Sequence, residues 1–291
     1  MSETLVSLWT EVRRRLEAAG VDTPVLDARL LLEAGAGVSR LEIVTDPRRP
    51  VSQAQAAAVL SLTRRRETRE PISHILGERH FWTLDLIVTP DVLTPRPETE
   101  FVVEAGLQAL ARDAPARILD LGVGSGAIAL ALLIERPNAS AVGVDASAAA
   151  LAVARRNLER HGPGGILFEH RDVKRAGFPR GPFDLVISNP PYVSAAEFGG
   201  LQPEVRTFEP ESATTDGEDG LSFFREILRA GREILKEDGA VMLEIGYAQS
   251  AAVEAIASVC GYSGCLFVND YSGIPRVALC RGGNPAAGGE R

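Results

Sequence analysis

Asn189-Pro190-Pro191-Tyr192 is the segment of this chain best suited to chemistry, because it follows directly on the apolar run 183–188. In an open parallel sheet, ligands bind beyond the carboxyl ends of the strands. Two consecutive prolines fix the backbone and carry no N–H, which leaves their carbonyls free to accept. Asn189 adds a side-chain carbonyl, and Tyr192 a flat apolar surface. Such a set suits a planar group bearing NH2. Its two N–H bonds would go to the Asn189 side-chain oxygen and the Pro190 carbonyl, and its lone pair would point at an electrophile. Delocalised amide and aryl-amine nitrogens are weak nucleophiles, so positioning and electrostatic help are what a protein can add. The plainer alternative is a proline-rich connecting turn.

A source for that electrophile is suggested upstream. Asp120-Leu121-Gly122-Val123-Gly124-Ser125-Gly126 follows a short apolar stretch and opens a helical pattern. Glycines there permit a tight turn and close approach of a ligand to the backbone. Asp145 stands 19 residues after Gly126, at the end of the next apolar stretch. An acidic side chain in that place can accept hydrogen bonds from ribose hydroxyls. The spacing also fits a dinucleotide fingerprint, read as Gly122-x-Gly124-x-x-Ala127, and a plain strand-to-helix turn remains open.

The elements that must position these residues read as two domains. Leu5, Leu8, Trp9, Val12 and Leu16 recur at helical spacing. Asp22, Thr23 and Pro24 then signal a second helix over 25–32, and Ser52 caps a third to about Arg66. These make a helical domain over 1–80. A hairpin is expected over 81–93, its alternating segments flanking Pro90-Asp91, and with Pro95 and Pro97 it forms a linker over 81–97. A helix over 98–110 follows. Over 98–280, strands at 118–121, 141–144, 166–168, 183–188 and 241–245 alternate with helices at 127–135, 148–160, 221–235 and 251–259. A closing strand pair is expected at 265–268 and 276–279. The alternation implies an α/β fold, a mostly parallel sheet with helices on both faces. The tail 281–291, rich in Gly, Pro and Ala, is expected to be disordered.

Composition narrows the function classes. The chain has 291 residues, 45% of them hydrophobic, enough for a core in about two domains. Its longest apolar run, 127–134, is too short to span a bilayer. The N-terminus shows no secretory signal. The expectation is a cytoplasmic protein with no membrane role. Cys260, Cys265 and Cys280 form no CxxC pair, so reduced thiols are expected. His74, His80, His161 and His170 show no metal-ligand spacing, and no metal is expected. The net charge is −8. The first 70 residues carry 11 basic and 10 acidic side chains, so the negative charge falls on the remainder. That argues against direct nucleic-acid binding as the main task.

The glycine loop, the acidic end of the next strand and Asn-Pro-Pro-Tyr together resemble the class I S-adenosylmethionine-dependent amino-methyltransferases. Three further segments narrow the resemblance: Val92-Leu-Thr-Pro-Arg-Pro-Glu-Thr-Glu100, Phe208-Glu-Pro210 and Asp219-Gly-Leu221. With them, the chain resembles the HemK/PrmC family over nearly its whole length. The resemblance implies a Rossmann-like methyltransferase domain with a seven-stranded sheet. It also implies an activity: methylation of the glutamine amide in the Gly-Gly-Gln motif of class-1 peptide chain release factors. S-adenosylmethionine would lie against Gly122, Val123, Gly124, Ser125 and Gly126, with its ribose on Asp145 and its adenine at Asp172 and Val173. Arg96, Pro97 and Thr99 would sit near the methionine end. Asn189, Pro190, Pro191 and Tyr192 would hold the substrate amide, with Asn189 also near the cofactor. Val123 stands where Thr is usual, which loses one hydroxyl contact. Val173 stands where some members have an aromatic, and Thr94 replaces the more common Ile.

Other readings stay open on chemistry alone. A ribosomal protein also offers a glutamine amide, and a flipped adenine in DNA or RNA would suit the same acceptors. A dinucleotide redox enzyme would leave Asn-Pro-Pro-Tyr unexplained, and a noncatalytic module would leave Asn189 and the glycine loop without purpose. Arg64-Arg65-Arg66 reads as a solvated helix face in preference to a docking patch. Glu244, at the end of an apolar stretch, is expected either to shape the site or to support it from behind.

Overall fold

Apolar spacing at every third or fourth residue becomes helix in the computed structural model, which describes residues 3–282. The expected tail therefore lies outside the described residues, apart from Arg281 and Gly282; Arg281 closes a strand. The chain divides into two units, Met1–Gly77 with Gln202–Phe208, and Glu78–Leu201 with Glu209–Arg291.

In the first unit, helices Leu5–Ala18, Pro24–Ala36 and Gln53–Glu67 enclose a core of Leu5, Leu8, Val12, Leu16, Leu31, Leu32 and Val59. Ser52 caps the third helix by accepting from the Gln55 N–H. Two short helices, Arg40–Thr45 and Ile72–Leu76, went unread because neither has two turns of periodicity. Gln202–Phe208 belongs to this unit although it follows Asn-Pro-Pro-Tyr in sequence. Its anchor is Glu204, which accepts from Arg66 at 2.8 Å and from Arg69 at 2.6 and 2.7 Å. Arg66 also donates to Asp27 at 2.7 Å, and both side chains are buried. The reading of Arg64-Arg65-Arg66 as a solvated face is thereby corrected at Arg66. Arg64 and Arg65 are exposed, Arg65 pairing with Glu70, and Arg66 alone of the three is buried.

The second unit begins with a hairpin, β1 (Glu78–Phe81) and β2 (Leu84–Ile87). The hairpin lies earlier than expected. Trp82 does not open a strand but sits in the turn at φ 56°, its N–H donating to the Glu100 carboxylate at 2.9 Å. Leu84, Leu86 and Val88 do share a buried face, so the alternation was sound. Pro90-Asp91 follows the hairpin in a separate turn closed by Val92 N–H on the Thr89 carbonyl. The hairpin and proline segment both belong to this unit, which starts at Glu78.

The main sheet contains β3 (Arg117–Leu121), β4 (Ser140–Asp145), β5 (Ile166–His170), β6 (Phe183–Ser188), β7 (Leu235–Glu244), β8 (Cys265–Asn269) and β9 (Pro275–Arg281). Their order is β5-β4-β3-β6-β7-β9-β8, parallel except for β9, which runs antiparallel to both neighbours. Period-two alternation splits the core between the faces. Ile118, Leu185, Ile187 and Met242 pack with helix Ala127–Glu135, apolar over 127–134, on one face. Leu119, Leu121, Val186, Val241 and Leu243 pack with helix Ser222–Ile234 on the other. Chain order reverses between β3 and β6, which opens a crevice above their carboxyl ends.

Cys265 and Cys280 form a disulfide, against the expectation of free thiols. They stand directly opposite in the β8–β9 register, a pairing that a separation of 15 residues does not reveal. Among the described residues, no helix is long and apolar enough to cross a membrane.

Candidate active site

The crevice holds a cavity of about 400 Å³, within the usual range for small-molecule sites. Its wall carries Gly122, Val123, Gly124, Ser125, Asp145, Asp172, Val173, Thr99, Asn189 and Pro191. Residues from five separate stretches of sequence thus meet at one surface.

Backbone conformation explains the glycines. Gly122, Gly124 and Gly126 have φ of 70°, 53° and 87°, a region that L side chains rarely adopt. The turn is tied to β4 by Gly122 and Val123 N–H groups, both donating to the Val144 carbonyl. Asp145 closes the arrangement. One carboxylate oxygen accepts from Gly124 N–H at 2.9 Å and the other from Ser147 N–H at 2.8 Å. Burial raises the Asp145 carboxyl above its ordinary range, while these N–H groups oppose the shift. Each oxygen keeps a lone pair for a further donor.

The Asn-Pro-Pro-Tyr segment is anchored from several sides. Asn189 Nδ2 donates to Thr99 Oγ1 at 3.2 Å, and Thr99 Oγ1 donates to Glu244 at 2.6 Å. The Tyr192 hydroxyl donates to the other Glu244 oxygen at 3.2 Å, and the Gln249 amide donates to the Tyr192 carbonyl at 2.9 Å. A Cβ at Gly220 would come within 2.5 Å of that same carbonyl, which explains the glycine of Asp219-Gly-Leu221. Phe208-Glu-Pro210 also finds its role. Glu209, buried, accepts from Thr94 N–H and from Arg96, and Pro210 lines the cavity.

Several expected site residues lie off the cavity wall. Gly126 caps the following helix. Arg96 is engaged by Glu209, and Pro97 opens a 3-10 turn, Pro97–Thr99, facing a second depression. Pro190 is buried, and Tyr192 turns its hydroxyl to Glu244. Sequence reasoning passed over Phe223 and Lys174, which join the wall near Val173. The Lys174 ammonium lies 4.0 Å from the Phe223 ring centroid. No local signal marks Phe223, which stands 50 residues beyond Val173.

Two carboxyls beneath the site are perturbed. Burial pushes both Asp120 and Glu244 up to about 7. The folded state therefore holds protons that the unfolded chain releases near pH 4. Stability must fall as pH rises from roughly 4 to 7. Carboxyls held low, such as Glu67 by its hydrogen bonds from Arg15, titrate below this window. The melting temperature should be higher at pH 5 than at pH 8, and Glu244→Gln should flatten part of that slope. An unchanged slope in the variant would remove Glu244 as its source.

Comparison with known proteins bears on what this site belongs to. A family model for the PrmC N-terminal domain matches residues 7–77, and one for the methyltransferase small domain matches 101–200. A Caulobacter vibrioides protein named release factor glutamine methyltransferase is 47% identical over 282 residues, covering 96% of each chain. This chain belongs to the release factor glutamine methyltransferase family. A second member, from Geobacter sulfurreducens, is 43% identical and covers 92% of this chain and 93% of its own. The fold of this chain is also that of a Pyrococcus furiosus methyltransferase crystal structure. The two align with a TM-score of 0.52 at 18% identity, over 69% of this chain and 90% of that one. The chain is thus a methyltransferase with a Rossmann-like catalytic unit.

Proposed function

We propose that this chain methylates the side-chain amide nitrogen of the glutamine in the Gly-Gly-Gln motif of class-1 peptide chain release factors, using S-adenosylmethionine. The observation that carries this reading is the meeting of Asn189 and Pro191 with the glycine loop and Asp145 on one cavity wall. An amide acceptor site therefore adjoins a nucleoside-type site. That substrate sets the chain in the cytoplasm, with no direct nucleic-acid contact.

The donor set fits such a cofactor. Asp145 keeps carboxylate lone pairs for ribose hydroxyls, and the open glycine turn admits the methionine end alongside Gly122, Gly124 and Ser125. Asp172 and Val173 flank the place for adenine, and Phe223 supplies the aromatic face that Val173 lacks. Arg96 and Pro97 act indirectly, Arg96 through Glu209. When bound, S-adenosylmethionine supplies an electrophilic methyl group. Asn189 Oδ1 and the Pro190 carbonyl accept the two amide hydrogens and aim the nitrogen lone pair. The protein supplies position and neutral acceptors, and no strong base is needed, because the nitrogen loses its proton to solvent after it has gained the methyl.

Phe223→Ala should weaken S-adenosylmethionine binding by about two- to tenfold, the value of one lost ring contact. Isothermal titration checks this, and unchanged affinity would place the adenine elsewhere. The function itself is tested with labelled S-adenosylmethionine and three separate acceptors: a release factor, ribosomal proteins and DNA. Label in the release factor is expected. Label confined to either other acceptor would overturn the reading.

A further inference from the structure

We propose that Glu244, acting through Thr99, fixes which end of the Asn189 side-chain amide faces the substrate. The proposal rests on the glutamine methyltransferase reading above. An asparagine amide is nearly symmetric in shape, and a half-turn exchanges its oxygen and nitrogen. With the oxygen forward, Asn189 accepts a hydrogen from the substrate NH2. With the nitrogen forward, two NH2 groups confront each other and the substrate is repelled.

The geometry selects the first state. Glu244 is 2% exposed and Thr99 4% exposed, so water does not replace either partner. Thr99 Oγ1 has one hydrogen. It lies 2.6 Å from one Glu244 oxygen, and that oxygen accepts both when the carboxyl is ionised and when its proton sits on the other oxygen. That hydrogen is therefore committed to Glu244, and the Thr99 oxygen can only accept from Asn189. Asn189 must present Nδ2 to it, at 3.2 Å, and its Oδ1 is left for the cavity. The second Glu244 oxygen accepts from Tyr192, the last residue of the same Asn-Pro-Pro-Tyr segment. One carboxyl thus sets both the polarity of the relay and the seat of the segment that it serves.

The three residues come from different elements. Asn189 follows β6, Thr99 ends the 3-10 turn Pro97–Thr99, and Glu244 ends β7. Nothing local requires these contacts. The relay needs an acceptor oxygen at residue 244, not a charge. A proton on the oxygen facing Tyr192 leaves the Thr99 contact intact, and a glutamine can offer its own carbonyl there. Glu244 and Thr99 are positioning residues in this account.

The test uses the full chain with S-adenosylmethionine and a release factor, in two matched pairs of variants. Thr99→Val and Glu244→Leu remove the relay, and kcat should fall roughly tenfold or more, one buried hydrogen bond's worth. KM for the release factor and affinity for S-adenosylmethionine should change little. Thr99→Ser and Glu244→Gln keep the necessary atoms and should restore most of kcat. Full activity in Thr99→Val would overturn the proposal, as would a Thr99→Ser variant as impaired as Thr99→Val. If one pair melts near the assay temperature, the other decides. A readout without turnover separates this idea from the functional reading: the Asn189 Nδ2 hydrogens, followed by nitrogen-15 NMR, should exchange slowly in the wild type and quickly in Thr99→Val. Rapid exchange in the wild type would overturn the relay whatever the substrate. A wild type that leaves the release factor unmodified, yet shows slow exchange, would overturn the functional reading alone.

Discussion

Alanine at Asn189 should lower kcat for glutamine methylation by roughly 10²–10³-fold, the usual cost of losing one preorganised polar group at a reacting centre. The removed carbonyl is the side-chain acceptor that holds the amide, and Pro190 alone leaves the nitrogen free to rotate away from the methyl group. Affinity for S-adenosylmethionine should be little changed, because the glycine turn and Asp145 remain. Stability should fall only by about 1 kcal/mol, since the lost Nδ2 bond to Thr99 is a single hydrogen bond. Single-turnover kinetics with a parallel cofactor titration separates these effects. Equal losses of cofactor affinity and transfer would assign Asn189 to the cofactor instead of the substrate.

Arg66→Ala should cost about 3–5 kcal/mol, the penalty for stranding a buried partner charge. Asp27, with a side chain 2% exposed, would keep its carboxylate without its arginine, and Glu204 would keep only Arg69. Arg64→Ala, on the exposed side of the same helix, should lie within about 0.5 kcal/mol of wild type. Urea unfolding gives the magnitudes. Hydrogen exchange gives the location: protection should fall in Pro24–Ala36, Gln53–Glu67 and Gln202–Phe208. A loss below about 1 kcal/mol would mean that the network behaves as a set of solvated surface pairs.

That network also shows where sequence reading runs out. The alternation of apolar strands and helices sufficed for the parallel sheet, because its central strands β3, β4, β6 and β7 are buried on both faces and follow at regular intervals. The glycine turn and Asn-Pro-Pro-Tyr were readable as sites because both are short and stand at strand ends. Three kinds of feature escaped. Arg66 has the same residue type as its neighbours, and only tertiary packing buries it against Asp27 and Glu204. The Cys265–Cys280 bridge depends on strand register, which is set by the β8–β9 pairing. Phe223 reaches the cavity from helix Ser222–Ile234, whose pattern reveals its core-facing side but not which end abuts a ligand. Arg96 and Pro97 show the converse. Their motif was recognised, but the sequence did not show that Arg96 pairs with the buried Glu209. Asp145 proved to do more than expected, because it pins the Gly124 backbone as well as facing the cavity.

The central claim is that Asn189 presents a neutral acceptor to a glutamine amide beside a methyl-donor site. Peptide mass spectrometry of a release factor, after incubation with S-adenosylmethionine and either the wild type or Asn189→Ala, tests it most directly. The account predicts one added methyl on the side-chain amide of the Gly-Gly-Gln glutamine with the wild type, and almost none with the variant. A methyl on any other residue, or equal modification by both proteins, would contradict it.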